Sequence, residues 1–136
     1  MIRIPAALLA AATLAAAAPA PAPIAGRWIS AGGKALVEIA PCGATLCGKI
    51  LKLLKTVPGQ PVTDVRNPDP AKRNRPFVGL QILTGFAPGG EDWVGTIYDP
   101  KTGATYKGYL RIEGAQLKVR GCAGPFCKNQ FWTRPG

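Results

Sequence analysis

The residues best suited to chemistry lie in one stretch between positions 55 and 77. It holds Asp64, Asn67 and Asp69 among Arg66, Lys72, Arg73 and Arg75. Planar guanidinium groups grip carboxylates and phosphates through paired hydrogen bonds, so the pattern suits capture of an anionic group. It equally suits a loop locked by its own ion pairs, because both signs of charge are present. Two carboxylates facing each other across a cleft could cleave a glycosidic bond at about 5–9.5 Å separation. Asp64 with Asp69 or Asp99 would be such a pair, although Asp99 is better explained by its turn. Oxygens of Asp64, Asn67 and Asp69 could also face a divalent cation, but the neighbouring cations offset them. The remaining inventory is thin. No histidine occurs among 136 residues. That excludes Ser-His-Asp and Cys-His catalysis and every imidazole-ligated metal. Ser30 is the only serine, and no motif supplies a lysine to activate it. No catalytic residue, metal or cofactor is assigned, and binding is the expected role.

A second basic group shows strict alternation. Lys107, Tyr109 and Arg111 alternate with Tyr106, Gly108, Leu110 and Ile112, and Lys118 and Arg120 with Leu117 and Val119. Side chains two apart on a strand share a face. Lys107, Arg111, Lys118 and Arg120 are therefore expected on one outer face of a hairpin. The excess of seventeen Lys and Arg over seven Asp and Glu gives a net charge of +10. Such a face suits an acidic envelope polymer or an anionic surface. It also reads simply as a solvated exterior.

The elements that must position these groups read as strands. No window after residue 26 keeps apolar residues at helical spacing. Alternating runs bounded by Gly, Pro, Asn and Asp predict strands over 26–30, 34–41, 46–54, 78–84, 92–98, 104–113, 116–121 and 129–134. Short turns join nearly all of them. The all-β reading is an up-and-down antiparallel meander of about eight strands, closing into a small barrel or a barrel-like sandwich. The exception is the 55–77 loop, far longer than a hairpin connection. Loops of that length in compact domains are usually functional or disordered. Its prolines stiffen it, and one helical turn is expected around Asp69 to Lys72.

Ahead of the strands, Arg3 precedes an apolar Ala/Leu run over 6–18. About 13 residues is short of the roughly 20 that span a bilayer. The run matches the core of a secretory signal, with Ala15-Ala16-Ala17 as a small-x-small cleavage motif. Residues 1–25 are read as a signal peptide with an Ala/Pro lead-in, and 26–136 as one domain. No later segment reads as transmembrane. Export places the protein in the periplasm or outside the cell, and no nucleic-acid partner is expected there. An oxidising compartment favours disulfides for Cys42, Cys47, Cys122 and Cys127. Four thiols allow three pairings. Local pairing, 42 with 47 and 122 with 127, is expected because Cys42-Gly-Ala-Thr-Leu-Cys47 reads as a hairpin loop. A four-thiolate zinc site is the alternative, at unusual spacing.

Several motifs then fall in a familiar order. They include Gly26-x-Trp28, Leu46-Cys47-Gly48-Lys49-Ile50, Asp64 with Asn67-Pro68-Asp69, and Arg75-Pro76 with Gly79-Leu80. Further on come Gly95-x-Ile97-Tyr98-Asp99-Pro100, Gly103-x-x-Tyr106, Leu117-x-Val119-x-Gly121-Cys122 and Trp132-Thr133-Arg134. In this the chain resembles the exported bacterial family known as domain of unknown function 2147. The resemblance implies an exported, β-rich protein and no assigned activity. A weaker likeness is to lipocalin-type barrels, which also begin with Gly-x-Trp and carry an Arg near the last strand. By that likeness Arg134 would stack on Trp28 and close the barrel, a cation–π contact of about 0.5–2 kcal/mol.

The expected function is an exported, non-catalytic domain that binds a small anionic or amphipathic ligand or an envelope component. Asp64, Arg66, Asn67, Arg73 and Arg75 would form the site, with Tyr98 and Tyr106 nearby if the 98–106 turn shares that end. The alternatives are a basic surface-association module and, behind it, a carboxylate-based hydrolase.

Overall fold

In the computed structural model, residues 2–11 and 20–136 are described. The Ala15-Ala16-Ala17 motif lies outside them. Eight strands follow in chain order: β1 (Gly26–Ile29), β2 (Ala35–Cys42), β3 (Thr45–Leu53), β4 (Gln81–Gly89), β5 (Asp92–Asp99), β6 (Ala104–Glu113), β7 (Gln116–Ala123) and β8 (Phe126–Thr133). Each runs antiparallel to the one before it, and β8 returns to β1 to close a barrel. Two short 3₁₀ turns, Ala31–Gly33 and Pro70–Lys72, are the helical elements among the described residues. No helix among them is long and apolar enough to cross a membrane.

The period-two pattern decides which side chains enter the barrel. Trp28, Val37, Ile39, Ile50, Leu83, Phe86, Leu110, Leu117, Val119 and Trp132 are buried in one continuous cluster. Room for Phe86 comes from neighbours without side chains. Gly95, Gly108 and Gly121 stand opposite one another on β5, β6 and β7. A Cβ at Gly95 or Gly108 would lie 2.8 Å from the Phe86 ring. Phe86 thus lies across a flat strip of backbone. The interior is a packed core rather than an open cup.

The expected strand at 78–84 is displaced. β4 starts at Gln81 and runs on to Gly89, so the connection from β3 spans 54–80. Gly79 sits at φ +90°, and ahead of β4 only Gly79 and Leu80 bond to β3, through the N–H and C=O of Ile50. At the other end of β4, the strand absorbs Gly85 through an irregularity between Thr84 and Ala87, and Pro88 pairs with Trp93. β8 likewise begins three residues earlier than expected, at Phe126, because Gly124-Pro125 is a two-residue turn.

Closure of the barrel involves Trp28 and Arg134. Gly26 adopts φ +118°, and a Cβ there would lie 2.7 Å from an Arg134 nitrogen. The absent side chain lets the guanidinium settle over the Trp28 ring, 3.7 Å from its centroid. Arg134 also donates to the carbonyls of Ala25 and Arg27 at 3.4 and 3.1 Å. The segment ahead of β1 belongs to the same packing. Ile24 is fully buried, the Trp28 indole donates to its carbonyl at 2.9 Å, and the Trp93 indole donates to Ala22 O at 3.0 Å. The disulfides are Cys42–Cys47 and Cys122–Cys127. Each ties a hairpin to itself.

Candidate functional site

An antiparallel meander sends alternate connections to the same end. The 30–34, 54–80 and 100–103 connections and the 124–125 turn therefore share one end, and the long connection folds over it. Two backbone bonds give it a short ladder of its own. Asp64 N donates to Arg75 O, and Phe77 N to Val62 O, each at 2.9 Å.

Asp64 lies at the centre of this end and has no exposed surface. Its Oδ1 accepts from the Tyr98 hydroxyl at 2.5 Å. Its Oδ2 accepts from Asn67 Nδ2 at 2.8 Å and from the Arg75 guanidinium at 3.4 Å. Tyr98 projects from the end of β5, so this carboxylate joins connection to barrel. Asp69 has a different task. Its Oδ1 accepts from Ala71 N at 3.0 Å and caps the Pro70–Lys72 turn. Arg73 Nε donates to Asn67 O at 2.8 Å. Arg66 reaches over the 100–103 turn to donate to Lys101 O. Gly103 sits directly beneath, at φ +73°, and a Cβ there would overlap the Arg66 carbonyl.

Of the residues expected at a ligand site, Asp64, Asn67, Arg75 and Tyr98 are brought together. Arg66 and Arg73 hold backbone carbonyls instead. Tyr106 stands on the inner wall opposite Ile97, apart from the Asp64 contacts. The signs of charge in the 55–77 stretch are thus largely spent on fixing it. Among the described residues no three acidic or thiol side chains come together as metal ligands.

Tyr98 carries a pH consequence. Burial, then the hydrogen bond to Asp64 and its charge, push its pKa from 10.0 up to about 12. The fold therefore favours the neutral phenol. The stability linked to that preference is intact below pH 10 and is lost as pH rises from 10 toward 12. Tyr98→Phe has no such proton to lose. The expected result is a steeper alkaline fall in urea midpoint for the wild type than for Tyr98→Phe between pH 10 and 12. Parallel curves would show that Tyr98 titrates as it does in the unfolded chain.

A pocket opens at this end. It has a volume of about 320 Å³ and is lined by Arg75, Pro76, Val78, Gly79, Leu80 and Gln81. Arg75 meets Asp64 through one nitrogen while its side chain stays 47% exposed. A guanidinium has five N–H donors, so most remain free for a guest. Apart from Arg75, sequence reasoning missed this pocket. It assigned Val78 to a strand, whereas pairing with β3 reaches only Gly79 and Leu80, through Gly79 N to Ile50 O at 2.7 Å and Ile50 N to Leu80 O at 3.0 Å, and leaves Val78 exposed. At the same end the side chain of Lys34 lies against that of Lys101. The nearby Lys34 ammonium, followed by burial, lowers the Lys101 pKa.

The basic hairpin is on the outer face. Lys107 and Arg120 each stand 5.6 Å from the Tyr109 ring centroid. Arg111 is paired with Asp92 at 2.8 Å and Glu91 at 3.4 Å, and Lys118 with Glu113 at 3.4 Å. Exposed pairs of this kind contribute little stability, but they halve the free charge of the face.

A family model described as "Uncharacterized protein conserved in bacteria (DUF2147)" matches residues 26–134. No curated protein matches the chain. Among solved structures, the chain is similar to protein HP1028 from the human pathogen Helicobacter pylori, which is described as belonging to the lipocalin family. The TM-score is 0.70 and the identity 21%, over 84% of each chain. That likeness establishes a lipocalin-like barrel.

Proposed function

The chain belongs to the DUF2147 family of bacterial proteins, and from its lipocalin-like barrel we propose that it is an exported, non-catalytic binding protein for a small amphipathic anion. The observation that carries this reading is the pocket between Arg75 and Gln81. An eight-stranded barrel has room either for its own side chains or for one small ligand. Here Phe86, Leu83 and Trp28 occupy the interior, which supports a ligand site at the rim. The pocket offers an apolar floor of Pro76, Val78 and Leu80 beside a guanidinium. Its volume lies at the low end of small-molecule sites, about 300–1,000 Å³. That size fits a medium-length acyl carboxylate. Asp64, Asn67, Tyr98, Arg66 and Arg73 act by positioning, since they fix the connection that carries Arg75. Lys34 and Lys101 add positive potential at the same end, which favours arrival of an anion. The leader-like start and the two disulfides support export to the periplasm or beyond.

Octanoate is the test ligand. With ten heavy atoms, a carboxylate on Arg75 and a tail on Val78, a Kd of about 1 mM is expected. Octanol lacks the charge and acetate lacks the tail, and each should bind at least about tenfold more weakly. Calorimetric titration of wild type, Arg75→Gln and Val78→Asp checks this. Both variants should lose octanoate. Equal affinity in wild type and Arg75→Gln, or no binding at all, would overturn the reading.

A further inference from the structure

Strand β8 is paired on one side and open on the other. It meets β7 at all eight of its residues, Gln116↔Thr133 through Ala123↔Phe126. It meets β1 only at Ile29↔Thr133, because β1 is four residues long and the chain then turns away into Ala31–Gly33. That turn passes beside β8 without a backbone hydrogen bond to it.

The ladder geometry shows which groups face the open side. In an antiparallel pair, opposite residues alternate between hydrogen-bonded and non-bonded positions, with Cα separations near 5.5 and 4.5 Å. Cys122 and Cys127 are 4.1 Å apart at Cα, so theirs is a non-bonded pair. The N–H and C=O of Cys127 therefore point away from β7. By the period of two, so do those of Asn129, Phe131 and Thr133. Thr133 faces β1. No described residue pairs with the outward backbone of Cys127, Asn129 or Phe131. Residues 126–131 are exposed, with Phe126 at 80%.

We propose that the open edge of β8 docks an extended acidic polypeptide segment as an added strand. Main-chain bonds to Cys127, Asn129 and Phe131 would give affinity, as in other strand-addition sites. The choice of partner follows from charge. Lys128 stands on one face of β8. Arg120 and Lys118 stand on the other face, one strand further in, beside Asn129 and Phe131. A lysine on an edge strand discourages apolar edges from pairing with it, and it favours an acidic one. A second copy is a poor occupant. Each chain carries +10, and antiparallel self-pairing would gather the Lys128 and Arg120 side chains of both copies around the axis. The Cys122–Cys127 disulfide holds the tip of the hairpin, so little ordering is required on docking.

The proposal is independent of the Arg75 pocket. Its test uses the disulfide-bonded protein and a fluorescent peptide of about ten residues alternating Glu and Val. A second peptide has the same sequence with N-methyl groups on alternate amides. It keeps the charge but has lost one edge of donors. Anisotropy should give a Kd below about 100 µM for the plain peptide and at least about tenfold weaker binding for the methylated one. Asn129→Pro removes an amide that points away from β7, a position where proline is tolerated on an edge strand. It should weaken the plain peptide about tenfold, and Lys128→Glu should do the same. Equal binding of the two peptides overturns the proposal, whether or not Asn129→Pro folds. So does an absence of binding, or full retention by a folded Asn129→Pro. Equal competition by an acidic polysaccharide of matched charge would assign the surface to polyanions instead.

Discussion

Asp64→Ala should destabilise the protein by about 2–4 kcal/mol. The carboxylate is fully buried and accepts three hydrogen bonds. Its removal leaves the Tyr98 hydroxyl and the Asn67 amide without their partner, and each orphaned donor costs about 1–3 kcal/mol where water does not reach it. Asn67 is 7% exposed, so it bears that cost nearly in full. Tyr98 is only part-buried and bears less. Arg75 is half exposed and adds little, since solvent screens it. Asp64→Asn keeps an acceptor for Tyr98 and should cost less. The loss is expected to be local before it is global, because this carboxylate ties the connection to β5 through Tyr98. Urea unfolding gives the total, and amide exchange over residues 62–77 gives the local part. A loss under about 0.5 kcal/mol, the level of an ordinary surface change, would mean that the connection is held by something other than this carboxylate.

Trp28→Ala should cost about 3–5 kcal/mol, the range for deleting a large buried aromatic. Three contacts go together. The indole is 1% exposed within the core, its N–H holds Ile24 O, and its face carries the Arg134 guanidinium. β1 has four residues and meets β8 at one pair, so the seam has little backbone pairing to fall back on. Trp28→Phe keeps an aromatic face but lacks the N–H. It should cost less, of the order of one hydrogen bond plus a small cavity, about 1–2 kcal/mol. Arg134→Ala in the Trp28→Ala background should then add less than it does alone, because the two share one contact. Additive losses would show that Arg134 acts only through the carbonyls of Ala25 and Arg27.

These two effects differ in how far the sequence announces them. Trp28 lies in a strand whose alternation, with its neighbours', reads directly as inward and outward. The all-β meander follows from the same local rule, since period two and turn chemistry act over a few residues. The basic residues of β6 and β7 fall on the outer face by that rule as well. The local disulfides follow from a hairpin-sized spacing. Asp64 is different. Its type and the charges around it allow a binding site, a metal site or a lock. The choice depends on Tyr98, which is thirty-four residues away in sequence. The Arg66 contact is less legible still, because its acceptor is a backbone carbonyl, which every residue possesses.

The chain's composition and spacing thus determined a meander of antiparallel strands, a chemistry without imidazole, and a long charged connection. Those are local properties, set by residue type and by the two-residue period of a strand. Tertiary structure alone decided that Asp64, Asp69, Arg66, Arg73 and Arg75 are engaged in fixing the connection, chiefly through backbone groups. It also decided that the interior is filled by Phe86 lying across glycines, that Arg75 keeps donors free beside an apolar pocket, and that β8 outruns β1 and leaves an edge. Each of these depends on which distant segments meet, and strand register and loop packing fix that only when the whole barrel closes.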